Sequence, residues 1–138
     1  MTGIIHHRAI RWIGQPVGKA LVVYFHGFPG SSFEITLLEE ALAARNLSGI
    51  AISRLELHKH GESVVDHFAT VRNTLRAALV PLPEKPLMLL AVSGGTPYAL
   101  DFALHAPFPV KSLTVVSGVA PFALSGVPKD MCLQNRTF

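Results

Sequence analysis

From about residue 20 onward, short β-branched runs alternate with apolar residues at helical spacing. Ala20-Leu21-Val22-Val23-Tyr24-Phe25-His26 is an uninterrupted apolar and aromatic run closed by Gly27-Phe28-Pro29-Gly30. That pattern predicts a buried strand ending in a turn. Ser31 with Glu34 three residues later fits a capping box, in which each side chain satisfies a backbone N–H of the other. Ile35, Leu38 and Leu42 follow at helical spacing, so a helix is predicted over about 32–45. Gly49-Ile50-Ala51-Ile52-Ser53 reads as a second buried strand. Ser63 and Asp66 repeat the capping pattern ahead of Val64, Phe68, Val71, Leu75 and Leu79, which mark one helix face, and Pro81, Pro83 and Pro86 end it. Leu87 to Val92 is a third strand running directly into Ser93-Gly94-Gly95. Ala99, Phe102, Ala103 and Ala106 line the next helix, stopped before Pro107, and Val110 to Ser117 is a fourth strand. The order β-α-β-α-β-α-β predicts an α/β class fold, a three-layer α/β/α sandwich with a mostly parallel sheet. Ile10, Trp12 and Ile13 add an antiparallel edge strand or hairpin, and no periodicity is visible after Pro121.

Composition narrows the function classes. The 138 residues, 14.9 kDa, suffice for one domain, and 49% hydrophobic against 15% charged residues excludes a disordered chain. No apolar run reaches the roughly 18 residues of a membrane span, so no membrane partner is expected. Lys and Arg number 12 and Asp and Glu 9, a net charge of +3. These cations are scattered rather than clustered, which argues against a nucleic-acid partner. One cysteine, Cys132, excludes an internal disulfide and a cysteine-based zinc site and suits a reducing compartment. The N-terminus carries no basic segment followed by an apolar one, so the expected location is cytoplasmic.

In an open parallel sheet, ligands bind beyond the carboxyl ends of the strands. Three segments converge there: 26–32, 54–63 and 93–98. Ala91-Val92-Ser93-Gly94-Gly95, at a strand-to-helix junction, has the small-x-Ser-x-Gly form of a nucleophile elbow, with Ala91 at the position usually held by the first glycine. Small residues are needed on both sides because the turn is sharp and the helix starts close to the strand. The alternative for these residues alone is a tight strand-to-helix turn that binds an anion or nothing.

His26-Gly27-Phe28-Pro29-Gly30 after the first long strand tilts that balance. With it, the chain resembles the α/β-hydrolase family, in which such a loop follows the third strand. His60-Gly61-Glu62-Ser63 stands where that family has a Gly-x-Gly-x-Ser loop. Ser93-Gly94-Gly95-Thr96-Pro97-Tyr98-Ala99-Leu100 and Val115-Val116-Ser117-Gly118-Val119-Ala120-Pro121 resemble one hydrolase subgroup in the same order. The resemblance implies Ser93 as nucleophile and the backbone N–H groups of Phe28 and Gly94 as the oxyanion hole. His26, Gly27, Ala91 and Gly95 support that geometry, with His26 shaping the oxyanion loop. The implied substrate is a small acyl compound, an ester, thioester or amide, with no metal and no other cofactor.

A serine nucleophile needs a base, which in this family follows it in the order Ser, Asp/Glu, His. After Ser93 the candidates are Asp101, His105 and Asp130. Asp101 and His105 fall in the helix running away from the elbow and read as an i,i+4 surface pair; Asp130 reads as a solvated loop residue. His58 and His60, spaced i,i+2, hint at a metal but show no further ligand, and His6 and His7 read as solvated. The resemblance therefore covers the N-terminal half of a hydrolase through its sixth strand, with residues 121–138 as the start of a cap-like or disordered tail. Two functions follow: a serine hydrolase, or a catalytically inactive hydrolase-like domain. The strand near 110–117 would then be a sheet edge prone to self-association.

Overall fold

The computed structural model describes residues 7–119; His6, Asp130, Cys132 and the tail from Pro121 lie outside the described residues. Strand β1 spans Ile10–Ile13 and β2 Leu21–Phe25. A 3-10 stretch, Ser32–Leu38, leads into the short helix α1, Glu39–Ala43, and then β3, Ser48–Ile52. Helix α2 spans Val64–Leu79, β4 Leu87–Val92, α3 Thr96–His105 and β5 Val110–Val116. These form one sheet in the order β1-β3-β2-β4-β5. β2 pairs in parallel with both β3 and β4, and β4 pairs in parallel with β5. β1 runs antiparallel along the β3 edge, Ile10 opposite Ile52, which fits the expected edge strand.

The predicted elements appear, with one difference. The segment predicted as a single helix over 32–45 divides into a 3-10 stretch and one turn of α-helix. Its start is as predicted: the Ser31 hydroxyl accepts from the Phe33 N–H, and Glu34 reaches back to the Ser31 N–H at 3.3 Å. Inside it, the Thr36 hydroxyl bonds the Phe33 carbonyl at 2.8 Å, three residues back. Side-chain competition for a backbone carbonyl, with β-branched Ile35 and Thr36 adjacent, favours the tighter turn.

Alternation along the strands sorts the core into two layers. Leu21, Val23, Phe25, Ile50, Ile52, Leu87, Leu89 and Ala91 face α2 and α3, packing against Val71, Leu75, Leu79, Ala99 and Phe102. The intervening Val22, Tyr24 and Ala51 face the other way, against Ile35 and Leu42. β2 is buried at every position because both faces are covered there. Between α2 and α3, Arg72 Nη1 meets both carboxylate oxygens of Asp101, at 2.7 and 2.9 Å, and Arg76 donates to the His105 carbonyl. Asp101 and His105 do approach, at 3.9 Å, but Arg72 is the closer partner of the carboxylate. Among the described residues no helix is long and apolar enough to cross a membrane.

Candidate active site

β2 and β4 are adjacent and in register, Phe25 opposite Ala91, so their two following turns leave the sheet side by side. β4 ends in extended geometry at Val92 (φ −118°, ψ 128°), and Ser93 turns sharply into the left-handed region at φ 45° before α3 begins. A serine holds that conformation only at a cost of about 1–3 kcal/mol, supplied by the surrounding structure. The turn is braced from within, because the Thr96 hydroxyl donates to the Ser93 carbonyl at 2.7 Å and the Thr96 N–H donates to it as well. Gly95 is buried at the strand–helix contact. A Cβ there would run into the Phe25 carbonyl oxygen and lie 2.7 Å from that of His26, so only glycine fits.

The turn after β2 lies against this elbow. A Cβ on Gly27 would stand 3.6 Å from the Ser93 Cβ, and one on Gly94 would stand 3.5 Å from the Phe28 Cβ and 3.7 Å from the Phe28 backbone nitrogen. Ser93, Gly94, Gly27 and Phe28 are thus brought together, with Ala91 and Gly95 buried behind them. The Phe28 ring is largely exposed, and the Phe28–Pro29 peptide is cis.

His26 is buried and bonded through both ring nitrogens. Nδ1 lies 2.7 Å from the Gly27 carbonyl oxygen, so it carries the proton, and Nε2 accepts from the Arg54 N–H at 3.4 Å. Burial, followed by the neighbouring Arg54 charge, holds its pKa below the ordinary histidine value. A neutral imidazole tied at both ends orients the loop and has no lone pair left to act as a base. Arg54 completes the brace: Nη1 donates to the His26 carbonyl at 2.8 Å, and Nη2 to that of Gly27 at 3.3 Å. Its guanidinium carbon sits 4.6 Å from the centre of the Tyr98 ring, which ties the loop to α3. Ser53, next in line, accepts from the Ser32 N–H and donates to the Ser32 hydroxyl, both at 2.8 Å.

Sequence reasoning missed Arg54 and the Ser32–Ser53 pair. The available signal was the abrupt appearance of Ser53-Arg54 at the carboxyl end of a fully buried strand, where an arginine 6% exposed must be hydrogen-bonded. Among the described residues no histidine or carboxylate hydrogen-bonds the Ser93 hydroxyl. His105 is at the far end of α3, and Asp101 is held by Arg72. His58 lies beside Glu62 and His67, a grouping that the i,i+2 spacing of His58 and His60 did not reveal.

No family model and no curated protein matches this sequence. Solved structures do. The chain is similar to MenH from S. aureus (23% identity, TM-score 0.62), over 81% of this chain and 43% of that one. It is similar to a thioesterase domain from the curacin biosynthetic pathway (23% identity, TM-score 0.64), over 87% of this chain and 45% of that one. A laboratory-evolved variant of potato epoxide hydrolase also matches (19% identity, TM-score 0.58), over 82% and 38% respectively. The chain has the α/β-hydrolase fold. It spans about half the length, or somewhat less, of these structures.

Proposed function

We propose that Ser93 is the nucleophile of a hydrolase that transfers an acyl group from an ester, thioester or amide to water. The observation that carries this reading is the left-handed Ser93 at the β4–α3 junction, with the Phe28 backbone against Gly94. The fold supports hydrolase chemistry but does not choose among its forms, since thioesterase and epoxide hydrolase structures both match. In this reading Ser93 Oγ attacks the carbonyl, and the N–H groups of Phe28 and Gly94 hold the developing oxyanion. Each such donor lowers the barrier by about 3 kcal/mol. The α3 N-terminus adds its positive dipole end at the same place. The single cysteine fits a reducing, cytoplasmic setting.

Ser93 has no general base among its described contacts, and this favours a second reading: a hydrolase-like domain without activity of its own. Without a base, a serine hydroxyl retains only the modest acceleration of the oxyanion hole. Reaction with a fluorophosphonate probe separates the two. One label per chain, lost in Ser93→Ala, supports the nucleophile. A folded chain that stays unlabelled supports the inactive domain. A further part of this proposal is that the β5 edge, which pairs only with β4 among the described residues, joins a second copy of the chain.

A further inference from the structure

His58, Glu62 and His67 come together outside the elbow, where the loop after β3 enters α2. The distance from His67 Nδ1 to Glu62 Oε2 is 3.1 Å, and from His58 Nδ1 to the same oxygen 3.6 Å. The Lys59 N–H also points at this Oε2, at 3.1 Å, while the Thr70 hydroxyl donates to the other oxygen, Oε1, at 2.7 Å. Three nitrogens therefore converge on one carboxylate oxygen, which has room for about two donors. Lys59 and His67 fill that capacity. His58, at 3.6 Å, is beyond hydrogen-bond range yet aimed at the same point. A hydrogen-bond network accounts for the first two nitrogens, while His58 stands beside them at ion-pair distance from the same oxygen, its ring edge-on to that of His67.

The same three groups are close enough together to share one cation. We propose that His58, Glu62 and His67 form a binding site for a borderline divalent metal ion of the zinc class. Two imidazole nitrogens and one carboxylate oxygen are a ligand set zinc accepts while leaving a position open. The three ligand atoms lie within 4.8 Å of one another, against a spacing of about 3.4 Å around a tetrahedral ion with bonds of about 2.1 Å. The inward shift falls to His58, whose side chain is 53% exposed, whereas those of Glu62 and His67 are 6% and 11% exposed.

The surroundings already fix the buried ligands. Ser63 caps α2 by accepting from the Asp66 N–H, which sets the start of the helix that carries His67. The His67 ring stands edge-on between His58 and Tyr98, at centroid distances of 5.3 and 5.7 Å. Thr70 holds the carboxylate from behind, the kind of outer partner that orients metal ligands. The Thr70 hydrogen bond is the largest influence holding the Glu62 carboxyl below the ordinary glutamate range. A depression of about 270 Å3, also lined by Leu55, Val64 and Tyr98, opens over the three ligands and admits a water or small ligand at the free position. This inference stands apart from the proposed role of Ser93.

The test is titration of zinc chloride into the whole chain, followed by calorimetry, with cobalt(II) absorption reporting the coordination geometry. The expected result is one ion per chain and visible cobalt bands of a low-coordinate nitrogen–oxygen site. His58→Ala, Glu62→Gln and His67→Asn should each weaken zinc binding at least tenfold. Thr70→Val, which removes no ligand, should weaken it less, and His60→Ala should leave it unchanged. His58→Ala alters a half-exposed side chain and is the variant least able to disturb the fold; circular dichroism without metal confirms each variant is folded. Absence of stoichiometric zinc uptake by the folded chain overturns the site. So does full affinity in His58→Ala, or loss of uptake in a His6→Ala/His7→Ala double variant instead.

Discussion

The two faces of the sheet are built to different standards. The face under α2 and α3 buries Leu21, Val23, Phe25, Ile50, Ile52, Leu87 and Leu89 almost completely against two helices. On the opposite face, among the described residues, only the 3-10 stretch and α1 cover β3 and β2, and Met88, Leu90 and Val92 of β4 are half-buried. An apolar groove of about 260 Å3 lies there, lined by residues such as Val22, Leu42, Met88 and Leu90. β4 shows the contrast within one strand, since its residues alternate between buried and half-buried. The same degree of apolarity in sequence therefore carries unequal energetic weight. Stability depends on what lies opposite a residue as much as on the residue itself.

The largest expected effect that probes this contrast is the pair Phe102→Ala and Leu90→Ala. Phe102 is 1% exposed and meets Phe25 at a ring-centroid distance of 5.8 Å, so its loss should cost about 3–5 kcal/mol in urea unfolding. Leu90, half-buried over the groove, should cost about 1 kcal/mol. Equal costs would abolish the distinction between the faces. A second pair adds a methyl group instead of removing atoms. Gly95→Ala meets the Phe25 and His26 carbonyl oxygens, which are backbone and cannot yield, and should destabilise by about 3 kcal/mol. Gly49→Ala meets the ends of the Ile35 and Leu42 side chains at 2.8 and 3.0 Å. These are on the looser face and can give way, for a cost of about 1 kcal/mol.

pH sets a smaller effect, placed in the loop layer rather than on either face. The folded-state pKa of His26 is depressed below its ordinary value of 6.5, so between the two values the unfolded chain binds the extra proton. Stability is then full above about pH 6.5 and falls as the pH drops from there toward the folded pKa. Melting temperature against pH should show this decline, and His26→Asn should flatten it. Last, sedimentation tests the β5 edge. Val115 and Val116, 42% and 47% exposed, lie on that strand, and Val115→Lys should shift the chain toward monomer. A wild-type chain that sediments as a monomer at all concentrations removes the proposed pairing.

Much of the architecture was legible because it depends on local patterns. The strands read from continuous β-branched runs such as Leu21–Phe25, and the helix starts from Ser31–Glu34 and Ser63, whose caps form in the structure. The sharp strand-to-helix turn at Ser93 read from the small residues around it. What did not read was whatever depends on contacts distant in sequence. Arg54 reaches back 28 residues to the His26 carbonyl, and nothing local announces an arginine folded inward. The grouping of His58 with Glu62 and His67 spans a turn and the first residues of a helix, so no single periodicity connects the three. The break within residues 32–45 escaped because a hydroxyl competing for a carbonyl leaves the apolar spacing intact.

The pairing of Phe25 with Ala91 also fixes the tolerances of the elbow. Ser93 and Phe28 are each a few residues beyond that rung, so their separation is counted out in ladder steps rather than negotiated by flexible segments. A parallel ladder slips only in whole residues, about 3.3 Å at a time, and each step turns every side chain to the other face. Deleting one residue from β4 would therefore either carry Ser93 a full rung away from Phe28 or be taken up by a bulge, such as the register shift β4 already makes against β5 between Leu87 and Met88. The level of the two turns is set by the strand ladder and not by the turns themselves.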